Sequence, residues 1–173
     1  MEDKIKYYIR KNLANKKSWN SYNINFVYLI IIFFVLNNDT YQQSIIKLVI
    51  EGKGNINFLN NSFYLNPSNF QVNGLLINSS QKIYNFNNDI NNVTIIFDNQ
   101  IVSCEKMFSE LTNIIEIDLS NLDTSKVISM NAMFNGCSNL EKIIFGNINT
   151  SLVEDMYELF HHCQKLTSID LSI

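Results

Sequence analysis

Met107-Phe108-Ser109-Glu110-Leu111 is answered by Met133-Phe134-Asn135-Gly136-Cys137, and again by Leu159-Phe160-His161-His162-Cys163. Met107, Met133 and Leu159 stand 26 residues apart, a period that marks repeats stacked on one another. The register holds between these anchors. Ile114, Leu140 and Leu166 align, as do Ile117, Ile143 and Ile169, and Leu119, Phe145 and Leu171. Asp123-Thr124-Ser125 recurs as Asn149-Thr150-Ser151, Val127 as Val153 and Met130 as Met156. A half-unit, Ile101-Val102-Ser103-Cys104, lines up with Val127-Ile128-Ser129-Met130.

Within one unit, Ile115-Glu116-Ile117-Asp118-Leu119 alternates apolar and acidic residues, the pattern of a half-buried strand. Ile115, Ile117 and Leu119 are expected to face the core. Asn121 to Ser125 turn the chain, and Ser125 reads as a helix N-cap. Val127, Met130, Met133 and Phe134 then fall on one face of a short helix, with Gly136 placed to end it in the left-handed conformation. These spacings predict an α/β solenoid of 26-residue strand-plus-short-helix units. Its core is expected from Phe108, Ile114, Ile117, Leu119, Val127, Met130, Met133, Phe134, Leu140, Ile143, Phe145, Val153, Met156, Phe160, Leu166, Ile169 and Leu171.

Working outward, residues 40–92 read as short strands broken by turns. Ser44 to Ile50 is rich in β-branched residues and stops at Gly52-Lys53-Gly54, a hairpin-like break. Pro67 marks a turn. Asn73-Gly74, between Phe70-Gln71-Val72 and Leu75-Leu76-Ile77, favours a type I′ hairpin. This β-rich region is expected to cap the first repeat, whose face nothing else would cover.

Residues 1–39 form a leader. Lys4, Lys6, Arg10, Lys11, Lys16 and Lys17 precede the apolar run Phe26 to Leu36, the layout of a signal peptide or an uncleaved signal anchor. The run is shorter than the roughly 20 residues that span a bilayer. Membrane contact is expected through residues 24–36.

A net charge of −3 supplies no basic face to neutralise phosphates, so nucleic acid is not an expected partner. The three cysteines, with no C-x-x-C spacing, argue against a disulfide framework or a zinc site. Asparagine is abundant, a bias that base composition alone can produce, and this weakens arguments resting on any single Asn.

The strings Met107-Phe108, Ile117-Asp118-Leu119-Ser120, Leu122-Asp123-Thr124-Ser125-Lys126-Val127, Met130, Met133-Phe134, Cys137 and Leu140 resemble the BspA-like leucine-rich repeat surface proteins. Their repeat is also known as a mycoplasma lipoprotein-associated domain of unknown function. The resemblance covers residues 93–173 and implies a leucine-rich-repeat-like solenoid displayed at the cell surface for adhesion or recognition, without catalysis. The chain departs from the pattern at His161-His162 and at Asn149, and it stops at Ile173 without a C-terminal cap, as a fragment of a longer protein would.

The candidate chemistry is sparse. Cys137 and Cys163 share one repeat position and would sit on adjacent rungs, open either to a bridge or to simple packing, with Leu111 in the same slot favouring packing. His161, His162 and Cys163 are neighbours that cannot easily converge on one metal. Asp118 and Asp170 recur with the repeat, whereas a catalytic pair is found once; Ile144 interrupts their row. Asn38, Asn60, Asn78, Asn92 and Asn149 head glycosylation sequons. No catalytic residue, cofactor or metal site is expected. The reading is a non-enzymatic surface or secreted protein that binds an unknown protein or surface ligand. The alternative is an intracellular repeat scaffold.

Overall fold

The computed structural model describes residues 43–170, so the expected leader over 1–39, the membrane contact expected through residues 24–36 and the expected core residue Leu171 all fall outside the described residues. Alternation of buried and open side chains builds two long strands, β1 (Ser44–Glu51) and β6 (Ile90–Phe97). In β1, Ile46, Leu48 and Ile50 point inward; in β6, Val93, Ile95 and Phe97 do the same. β3 (Asn69–Val72) and β4 (Leu75–Ile77) pair through the turn at Asn73 and Gly74. Both turn residues have positive φ, 50° and 83°, as the sequence pair predicts. The repeats contribute β7 (Ile114–Asn121), β8 (Lys142–Ile144) and β9 (Ser168–Asp170).

One seven-stranded sheet results, in the order β4-β3-β6-β1-β7-β8-β9. Its first part is antiparallel, while β7, β8 and β9 are parallel and keep the 26-residue register, with Ile117 beside Ile143 beside Ile169. β1 lies along β7 and closes that strand's edge. A small second sheet pairs β2 (Gly54–Asn57) with β5 (Ile83–Phe86). The break at Gly52 to Gly54 therefore does not make a hairpin, because β1 and β2 join different partners.

The core lies on one side of the large sheet. Over β3 and β6 it is aromatic, with Phe58 against Phe70 at 4.6 Å and Phe63 edge-on to Phe97 at 6.1 Å. Over β7 to β9 it is roofed by the repeats' second segments. Phe134 stacks on Phe108 at 5.8 Å and 7°, and on Phe160 at 5.5 Å and 3°.

These second segments correct the expected architecture. Among the described residues there is no helix, and the fold is all-β, not the α/β leucine-rich-repeat-like solenoid of strand-plus-helix units. The spacing of Val127, Met130, Met133 and Phe134 suits tandem turns as well as a helix. The Met133, Asn135 and Cys137 N–H groups close turns on the carbonyls of Met130, Ala132 and Phe134. The alternate N–H groups, of Met130, Ala132, Phe134 and Gly136, leave the segment and donate to Asp155, Tyr157, Leu159 and His161. Every donor is therefore placed without an intrahelical ladder. Left-handed residues recur with the repeat and exclude helical propagation: Lys106, Ala132 and Glu158, then Glu110, Gly136 and His162.

Other expectations fall with the helix. Ser125 caps nothing; its N–H donates to Asp123 Oδ1 at 2.9 Å. Ile115 is only half-buried while Ile114 is fully buried, because the pairing of β7 with β1 shifts register between Val49 and Ile50. Core positions of the first two copies are buried, but Met156 and Ile169 are each 43% exposed. Each lies in the third copy, which no described element covers on its outer side.

Candidate interaction surface

The face of the large sheet away from the core carries no second layer among the described residues. Strand register draws one row of residues across all seven strands: Leu76, Gln71, Thr94, Lys47, Asp118, Ile144 and Asp170. Six interstrand spacings make the row about 29 Å long. A second row runs through Asn92, Val49, Glu116, Lys142 and Ser168.

Two ion pairs lie on this face. Lys142 Nζ lies 3.0 Å from Glu116 Oε1, and Lys47 Nζ 3.8 Å from Asp118 Oδ2. Partial burial raises the pKa of the Asp118 carboxyl, but hydrogen bonds from the Ser120 hydroxyl and N–H, with Lys47 and Lys142 nearby, outweigh it and hold the group below the usual carboxylate range. The face thus mixes ion pairs with apolar side chains, half-buried Val49 and Ile144 and exposed Leu76. Such a surface fits recognition by shape and charge.

Residues 102–172 match the family model of a Mycoplasma protein of unknown function, DUF285. The matched segment contains β7 to β9 and all three turn segments. No curated protein and no solved structure matches the chain.

The residues singled out by their chemistry are dispersed. Cys104, Cys137 and Cys163 are all free thiols. Burial pushes Cys104 and Cys137 up to about 12, and desolvation raises Cys163 as well. The His161 and His162 rings lie 3.8 Å apart between centroids on an exposed turn, and His162 has a φ of 59°. No group of three metal-ligating side chains forms among the described residues. Register places Ile144 between Asp118 and Asp170, so the two carboxylate positions are not adjacent.

Of the sequon asparagines, Asn78 and Asn92 are exposed, and Asn92 stands on the outer sheet face. Asn149 is exposed and its Oδ1 accepts from the Ser151 N–H. Asn60 is committed elsewhere: its Nδ2 donates to the Ser109 carbonyl at 2.7 Å and its Oδ1 accepts from Ser62. Asn38 lies outside the described residues. Residues that sequence reasoning passed over include Ser103, Ser129 and Asp155, whose side chains accept from the N–H two positions on and start each turn segment. Their shared place in the repeat was the available signal.

Proposed function

We propose that this chain is a non-enzymatic binding protein that recognises a protein or cell-surface ligand through the outer face of its seven-stranded sheet. The observation that carries the reading is the uncovered row from Leu76 to Ile144, wide enough for a protein contact and bearing paired charges. The likeness to BspA-like surface proteins, together with the basic leader and its apolar run, supports secretion or display at the cell surface. No helix among the described residues is long and apolar enough to cross a membrane.

Two experiments test this reading. Residues 1–45 fused to a reporter should direct it into the secretory route; retention in the cytoplasm would favour the intracellular scaffold instead. Beads coated with the protein should adhere to cell monolayers, and Lys47→Glu with Lys142→Glu should abolish adhesion while leaving the circular dichroism spectrum unchanged. Equal adhesion by the folded double variant sinks the assignment to this face.

A further inference from the structure

On one side the large sheet stops at β4, and the pairing of β3 decides which backbone groups of β4 stay open. The Asn73 N–H donates to the Asn92 carbonyl, so the backbone groups of Gln71, two positions back, also face β6. Those of Phe70 and Val72 then face β4, where Ile77 and Leu75 stand opposite them. Leu76 alternates with these two neighbours. Its N–H and carbonyl point away from β3, to the side on which no strand lies among the described residues.

This edge lacks the devices that keep sheet edges apart. β4 is Leu75-Leu76-Ile77, with no charge and no proline. No charged residue occurs between Lys53 and Lys82, so nothing in this stretch repels a like surface or attracts a charged peptide. Leu75 is 66% exposed beside buried Val72, and Leu76 is 57% exposed on the outer face.

The open groups fit their own kind. Two copies of β4 set antiparallel about a two-fold axis at Leu76 would exchange two hydrogen bonds, each Leu76 N–H meeting the other copy's Leu76 carbonyl. The same register brings Leu75 opposite Ile77 of the second copy on the core side, and Leu76 opposite its counterpart on the outer face. A slip of one residue would aim the Leu76 groups at a residue already committed to β3. Backbone and side chains therefore call for one alignment. We propose that β4 is a homodimer edge, on which a second copy of this chain pairs antiparallel through Leu76 and joins two seven-stranded sheets into one. The axis of an antiparallel pair stands perpendicular to the sheet, so both outer faces would lie on the same side. The pairing uses the edge alone and stands whether or not the outer face binds a ligand.

The contact is short, and the dimer should be weak, with a dissociation constant between about 10 µM and about 1 mM. Sedimentation of the full chain across that range should show a reversible monomer–dimer equilibrium. Leu76→Lys sets like charges opposite each other on the axis and should weaken dimerisation roughly tenfold or more, with the circular dichroism spectrum unchanged. On the unaltered chain, hydrogen exchange at the Leu76 amide should slow as concentration rises. A short bis-maleimide should link two copies of Leu76→Cys and link Leu75→Cys far less. The proposal is overturned if the chain stays monomeric up to about 1 mM, or if folded Leu76→Lys dimerises equally well. Equal linking of Leu75→Cys also overturns it, as does protection of the Leu76 amide that is independent of concentration, since the chain's own residues would then cover the edge.

Discussion

The Cys137 thiol donates to the Phe108 carbonyl across 3.0 Å, and one repeat later the Cys163 thiol makes the same contact with the Phe134 carbonyl at 3.1 Å. Sulfur at this position thus ties each copy to the one before it without a disulfide. In the first copy Leu111 fills the slot by packing alone.

Removing this tie should be measurable. Cys137→Ala loses a buried side chain and a weak hydrogen bond, so urea unfolding should show a loss of about 1 to 2 kcal/mol. The same change at the half-buried Cys163 should cost less. With native protein, a thiol reagent should modify Cys163 first, because Cys104 and Cys137 are buried and un-ionised.

The same thiols make stability fall in alkali. The folded state holds Cys104 and Cys137 protonated up to about 12, whereas an ordinary thiol ionises near 9.0. Between those values the unfolded chain binds fewer protons than the native one, so unfolding is favoured as pH rises. Their contribution is complete below pH 9 and is lost on approaching 12. Thermal melts across this range should decline more steeply for the native chain than for Cys137→Ala.

Backbone strain at the repeated left-handed positions should be relievable. Glu110 and His162 occupy at φ 63° and 59° the place that glycine fills at Gly136, where φ is 78°. His162→Gly should stabilise the chain by up to about 1 kcal/mol, and Gly136→Ala should destabilise it by about the same or more. An alanine Cβ at Gly136 would also stand 2.7 Å from the Glu110 carboxylate and push it aside. Denaturant midpoints for the two variants should therefore move in opposite directions.

Thr124 and Thr150 share a repeat position but differ in setting. Thr124 is 3% exposed, and its Oγ1 accepts from the Asn149 N–H at 2.7 Å; Thr150 is exposed. Thr124→Val should cost about 1 to 2 kcal/mol in chemical denaturation, and Thr150→Val should be close to neutral.

Local chemistry made part of this fold legible. Asn73-Gly74 declared its hairpin because both residues tolerate positive φ, a preference that needs no distant partner. The parallel register of Ile117, Ile143 and Ile169 followed from the repeat, since identical units stack most simply in line. The expected helix is absent because apolar residues three and four apart line one side of a tandem-turn segment as readily as one side of a helix. The deciding fact is that every second N–H leaves the segment for its neighbour.

Pairing over long separations was not legible. Nothing in Ser44 to Glu51 announces that it lies between β6 and β7, or that Ser44 Oγ accepts from the Asp123 N–H, 79 positions away. Nor does Asn60 advertise that its N–H and Nδ2 donate to the Met107 and Ser109 carbonyls of the first repeat. By itself the sequence determined the period and the Asn73-Gly74 turn, because these depend on side-chain spacing and backbone preference. Tertiary structure alone decided the all-β form of the repeat and the antiparallel sheet that closes its first edge. Those features depend on which distant backbone groups meet, and a hydrogen bond between remote segments leaves no mark on the spacing of either one.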